Sequence, residues 1–141
     1  MKKTLLLLAM ALLAGCATHA PKPNEIHPVP FDRTMAYQDA SAGDSKLVVT
    51  RDLGFVGGGC YLAVFIDGKE SALLDTGERA IFHVPAGHHV LGTWNAGKAL
   101  CSYRQGKDRR ETDASVASGE TRRYRILIDA NGGLALEPTS L

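Results

Sequence analysis

The stretch Cys60-Tyr-Leu-Ala-Val-Phe-Ile66-Asp67-Gly68-Lys69-Glu-Ser-Ala-Leu-Leu74 decides the fold class. Cys60 to Ile66 is a near-continuous apolar run, as expected of a central strand buried on both faces. Asp67-Gly68 is the two-residue signature of a tight hairpin turn, and Ser71 to Leu74 supplies the returning strand. Working outward, Lys46 to Arg51 is β-branched and compact, and Arg79 to Val84 alternates Ala80, Phe82 and Val84. Pro85-Ala86-Gly87 turns into His88 to Trp94. Thr112 to Val116 and Thr121 to Asp129 flank the turn Ser118-Gly119-Glu120, and Asn131-Gly132-Gly133 leads into Leu134 to Glu137. About seven to eight short strands with frequent turns predict an all-β fold, an antiparallel sandwich with a small barrel as the variant.

The front of the chain is of another kind. Met1-Lys2-Lys3 is a positive n-region, Thr4 to Leu13 an apolar h-region, and Leu13-Ala14-Gly15-Cys16 closes it with small residues before a cysteine. The apolar run is too short for a bilayer-spanning helix, which needs roughly 20 residues. Leu13-Ala14-Gly15-Cys16 resembles the bacterial lipobox. The resemblance implies cleavage before Cys16, lipidation of its thiol, and a new N-terminus carrying fatty acyl chains such as palmitate. Each buried CH₂ adds about 0.8 kcal/mol to membrane attachment, so two or three chains hold a protein permanently. Ala17 follows the acceptor in place of the Asp that retains enterobacterial lipoproteins in the inner membrane. The expected location is therefore the outer membrane, facing the periplasm.

Removal of residues 1–15 from the 141 leaves 126, enough for one domain. Lys2 and Lys3 leave with the signal, so a formal charge of +1 becomes −1, with 14 basic against 15 acidic residues. Such a balance gives no electrostatic argument for nucleic acid as a partner. Pro21, Pro23, Pro28 and Pro30 are four of the six prolines, and they stiffen a stretch with little hydrophobic periodicity. The expected organisation is a signal peptide at 1–15, a lipidated Cys16 with a flexible Pro-rich tether at 16–45, and a β-sandwich at 46–141. Fully extended, about 29 tether residues would reach roughly 90 Å. Within it, Phe31 to Ala42 fits either a short helix or an added edge strand.

Phe65-Ile66-Asp67-Gly68-Lys69 followed by Phe82-His83-Val84-Pro85-Ala86-Gly87-His88-His89-Val90 resembles the turn and core pattern of PEGA-like domains and a related family of small proteobacterial lipoproteins. Ala117 to Ile126 is similar to that family's penultimate strand. The resemblance spans roughly residues 46 to 138. It implies an immunoglobulin-like sandwich tethered to the envelope, and no particular activity.

With Cys16 lipidated, Cys60 and Cys101 remain, and in an oxidising compartment they are expected to pair. A bridge closing about 40 residues would stabilise by roughly 4 kcal/mol on the chain-entropy model. His83, His88 and His89 cluster around one turn and are the candidate metal ligands. Adjacent strand residues point to opposite faces, however, and His89 alternates with Leu91 as a turn-bracing residue would. Gly54 to Gly59 has the glycine content of a phosphate loop without its Gly-Lys-Ser/Thr ending, so a bulge beside Cys60 is the simpler reading. Arg109, Arg110, Arg123 and Arg125 are candidate contacts to an anionic partner, guanidiniums being forked donors to carboxylates and phosphates.

No Gly-x-Ser-x-Gly elbow is present, and Asp75 and Glu78 flank a turn that should place them in solvent. Ala117-Ser-Gly-Glu-Thr121 is faintly similar to the inhibitory loop of lipoprotein lysozyme inhibitors, from which Arg122-Arg123 depart. The sequence thus predicts no catalytic residue and no cofactor. It points to a non-catalytic envelope module, held to the membrane through Cys16, with an envelope protein or peptidoglycan as partner. A metal-binding or hydrolytic protein built on the three histidines and a lysozyme-inhibitor-like binder are the alternatives.

Overall fold

A computed structural model of the 141-residue chain describes residues 17–55, 57–97 and 108–141. The described strands, in chain order, are β1 (His27–Pro28), β2 (Ser45–Arg51), β3 (Leu62–Ile66), β4 (Lys69–Leu74), β5 (Glu78–Val84), β6 (Val90–Asn95), β7 (Arg110–Asp113), β8 (Thr121–Ile128) and β9 (Leu134–Pro138). One sheet runs β1-β5-β2-β8-β9 and the other β4-β3-β6-β7. Pairings are antiparallel except β1 with β5 and β2 with β8. The all-β sandwich expected from the sequence is what the chain forms. β1 is a strand that no hydrophobic pattern announces: it has two residues, one of them a proline, on a sheet edge where a missing donor breaks no ladder.

β3 is apolar on both faces for two different reasons. Leu62, Val64 and Ile66 join the inter-sheet core with Leu47, Val49, Phe82, Val84, Leu91, Tyr124 and Ile126. Phe65 points the other way and lies edge-on to Trp94, ring centroids 6.2 Å apart, with the Arg109 guanidinium 4.1 Å above its own centroid. Gly92, opposite Phe65 on β6, makes room for that ring: a Cβ there would lie 2.0 Å from it. The turn to β4 has positive φ at both Asp67 (51°) and Gly68 (78°), as a primed turn demands. Beyond it the register shifts between Val64 and Phe65, and Ser71 is left out of the β3 ladder. The expected strand at Thr112 to Val116 sits earlier, at Arg110–Asp113. Ala114 and Val116 instead bond the backbone of His89 and Gly87 while keeping their side chains in the core.

Residues 17 to 44, expected as a spacer, lie along the sandwich instead. The Thr18 amide donates to the Ile128 carbonyl (2.9 Å), and His19 exchanges two bonds with Leu53 (2.8 and 2.9 Å). His27 and Val29 donate to Gly77 and Arg79, and Arg33 reaches Glu78 with both nitrogens (2.7 and 2.5 Å). The bulged Ser71 then gives its carbonyl to the amides of Met35 and Ala36, and Tyr37 accepts from His83. Phe31 to Ala42 is neither helix nor strand; it is two short 3-10 turns and a bridge between Thr34 and Ala72. The segment lacks periodicity because it is held mainly by single backbone bonds, with Val29, Ala36 and Tyr37 its inward apolar contacts.

Arg51, the last residue of β2, turns into the end of the sandwich and is 2% exposed. Its Nη1 donates to the carbonyls of Cys60 (2.6 Å) and Leu74 (2.8 Å), and Nη2 to that of Gly57 (2.7 Å). Burial draws the guanidinium down to about 10, against the pull of Asp75 and Glu78, so it stays cationic at neutral pH. Arg51→Met should lower the unfolding free energy by about 2–4 kcal/mol, since three buried carbonyls lose a charged donor. Urea denaturation of the two proteins measures this, and an unchanged midpoint would contradict the role given to Arg51.

Candidate functional site

Chemistry-bearing side chains gather at the two ends of the sandwich. At the end where Arg51 lies, Glu78 is only 9% exposed beneath Arg33 and also accepts from the Asp75 amide (2.7 Å). The turn carboxylates expected in solvent are thus divided: Glu78 is buried by a partner from the preceding segment that local sequence does not reveal. Arg33 also lies 4.7 Å from the Tyr61 ring centroid. Asp52, 1% exposed, takes both arms of Arg125 (3.1 and 2.7 Å) and the Thr18 hydroxyl (3.3 Å). A cavity of about 270 Å³, lined mainly by Gly57, Leu62, Asn95, Ile128 and Leu134, opens at this end.

At the opposite end the three histidines diverge. His89 is 8% exposed, with Nδ1 on Asp67 (2.7 Å) and Nε2 on the Pro85 carbonyl (2.9 Å). Both partners only accept, so both ring nitrogens donate and the ring is an imidazolium. His88 is exposed and faces Asp113 (2.8 Å) and Ser115 (3.1 Å). His83 stands on β5 opposite Lys46 of β2. Among the described residues no group of three or more His, Cys, Asp or Glu is arranged to hold a metal ion.

The remaining candidates are likewise placed one by one. The loop from Gly54 turns carbonyls, not amides, inward to Arg51, while Gly58 and Cys60 donate back to Phe55 and Gly57. That polarity suits a cation and leaves no amide cradle for phosphate. The four arginines do not form one patch. Arg109 pairs with Glu111 (2.7 Å) over Phe65, Arg125 is held by Asp52, and Arg110 and Arg123 are exposed on different sheets. Ser118-Gly119 is a tight turn: Glu120 caps the Ala117 amide (2.7 Å), and the Ser118 hydroxyl donates to Asp44. An open polar cleft of about 380 Å³ lies beside it, lined by Asp113, Glu120, Arg122, Arg123, Tyr124 and Thr139. Cys16 and Cys101 lie outside the described residues; Cys60 closes the glycine loop.

Arg51 and Asp52 are buried and Arg33 is half-buried over Glu78, and none of the three stands in a motif. Asp67 and His89 were legible as a pair of turn residues, 22 positions apart, but not as bonded partners. Scans of protein-family models, curated proteins and solved structures find no match to this chain.

The His89–Asp67 pair gives a pH signature. Burial lowers the pKa of His89, but the Asp67 hydrogen bond, the Pro85 carbonyl and the Asp67 charge outweigh it, and the net shift is upward. Asp67 is raised by burial and lowered more by His89 and the Val90 amide, for a net downward shift. The histidine contribution is complete below the unfolded value of about 6.5 and disappears as pH rises through the higher folded value. The aspartate contribution is complete above about 4 and lost as pH falls through its lower folded value. His89→Gln should therefore destabilise most near pH 5–6, by roughly 1–2 kcal/mol, and progressively less as pH rises through the raised folded value. Urea midpoints across that range test it; a difference independent of pH would show that His89 is not the titrating partner.

Proposed function

We propose that the mature chain is a lipid-anchored envelope protein on the periplasmic face of the outer membrane, a non-catalytic structural or binding module of the PEGA-like kind. The observation that carries this reading is Leu13-Ala14-Gly15-Cys16 closing a short apolar run after Lys2-Lys3. A β-sandwich whose charged side chains largely hold one another is consistent with a module that recognises through surface shape and loops. Its partner is an envelope protein or peptidoglycan. The polar cleft beside Arg122 and Arg123 is the surface best equipped for it: Arg122 is held in place by Glu120 (2.9 Å), and the exposed Arg123 guanidinium can fork onto a carboxylate.

The sheet edges argue for loops over strand addition as the recognition mode. β1 has two residues, β9 ends in Glu137 and Pro138, β7 is four residues with three charges, and β4 is already bridged by Thr34. Cys60 and Cys101 are proposed to form a disulfide, and Cys60 is among the residues with an interaction partner.

Cys16→Ser in the full chain should abolish palmitate incorporation and move the protein from the membrane to the soluble fraction. Retention in the membrane with unchanged mass would overturn the anchor. In the same preparation, thiol titration under denaturing conditions should find no free thiol before reduction and two after it. Two free thiols before reduction would exclude the bridge.

A further inference from the structure

We propose that the protein stands on the bilayer rather than hanging from it, on the end of the sandwich that presents Phe55, with that ring inserted in the lipid interface beside the acyl chains of Cys16. The inference rests on the lipoprotein reading above and adds an orientation to it. Thr18, two residues after the acceptor, is fixed to the domain by several bonds. Its amide donates to the Ile128 carbonyl (2.9 Å), and its Oγ1 accepts from the Ile128 amide (2.8 Å) and lies 3.3 Å from the buried Asp52 carboxylate. His19 then locks onto Leu53 on both sides. Two peptide units span at most about 7 Å, so the lipid-bearing residue cannot stray farther than that from the docked Thr18.

Phe55 belongs to the same place. A Cβ on Gly54 would lie 3.0 Å from the Thr18 Cα, so the chain leaves this contact directly into Phe55. Phe55 is 95% exposed, so the ring has no part in the core and its apolar surface is free to enter another apolar phase. The loop behind it is braced: Gly58 donates to the Phe55 carbonyl (3.0 Å), and Arg51 holds Gly57 and Cys60. An aromatic ring on a braced loop, within reach of an acylated residue, meets the requirement for a second membrane contact. Covalent attachment raises the effective concentration of the ring at the lipid surface, so a single phenyl suffices to set orientation. The bilayer is favoured over a protein partner because the acyl chains bring it there. Of the other exposed apolar residues, Tyr61 lies against Arg33 and Ile81 stands on β5, while Phe31 and Met35 lie on the flank beside β4, where nothing specifies what would cover them.

The test uses the full acylated chain in vesicles of phosphatidylethanolamine and phosphatidylglycerol, comparing Phe55→Trp with the wild type, whose single tryptophan is Trp94. The added Trp emission should shift to the blue on reconstitution and be quenched by roughly half with lipids brominated on their acyl chains, while Trp94 responds to neither. If intact mass shows Cys16 acylated and the added emission stays water-like and unquenched, the orientation is wrong and the anchor stands. If the mass shows no acylation, the lipoprotein reading fails and this inference with it. Phe55→Ser with an unaltered urea midpoint confirms that the ring has no part in the fold, and a lowered midpoint would count against its being free to enter lipid.

Discussion

One buried cation organises the end of the domain on which the rest depends. Arg51 lies between the sheets where an apolar side chain would be the easier choice, and among the described residues its hydrogen bonds go to carbonyls. Its charge is stabilised by three carbonyl dipoles and, at longer range, by Asp75 and Glu78. A buried guanidinium without such acceptors would cost several kcal/mol. The carbonyls come from three places: Gly57 in the glycine loop, Cys60 two residues before β3, and Leu74, the last residue of β4. Arg51 therefore joins β2 of one sheet to β3 and β4 of the other. The glycines of the loop let its carbonyls turn inward; Gly57, with φ at 70°, is one of the two it grips.

The carboxylates around this cation are divided with little redundancy. Glu78 is committed to Arg33 and Asp52 to Arg125, and both acids are nearly inaccessible to water. Each pair also fixes a piece of the N-terminal segment: Arg33 belongs to it, and Thr18 shares Asp52. A segment without a hydrophobic stripe is thus held through buried charge and backbone bonds. The same pairs that neutralise the end of the sandwich determine where the chain emerges from it.

This explains which parts were readable in advance. The strands from Lys46 onward were legible because a sandwich imposes period-two burial and its turns need Asp, Gly or Pro, as at Asp67-Gly68 and Pro85-Ala86-Gly87. The docking of residues 17 to 44 was not legible. Its determinants are pairs far apart in sequence, such as Arg33 with Glu78 and Thr18 with Ile128, and each partner looks like an ordinary surface residue in its own window. The four prolines that suggest a free tether serve equally well in a segment that runs extended along an edge, because both uses require few backbone donors. The histidines divide similarly: alternation assigned His89 to the interior, but only the fold shows that its neighbour His88 turns to Asp113.

The two ends of the sandwich then have different physical characters. The Arg51 end holds its charge in pairs whose cations are arginines, forked donors that fix both carboxylates in place. The opposite end is held by the His89–Asp67 pair, which responds to pH, and by exposed contacts such as His88 with Asp113, which salt screens. A domain whose chain emerges at the rigid end leaves the responsive end as the one turned away from that attachment. Loops there, including Ser115 to Glu120 beside the polar cleft, can adjust to a partner without disturbing the contacts that hold Thr18. The division follows from placing arginine–carboxylate pairs where the chain enters the fold and a histidine–carboxylate pair where it turns back.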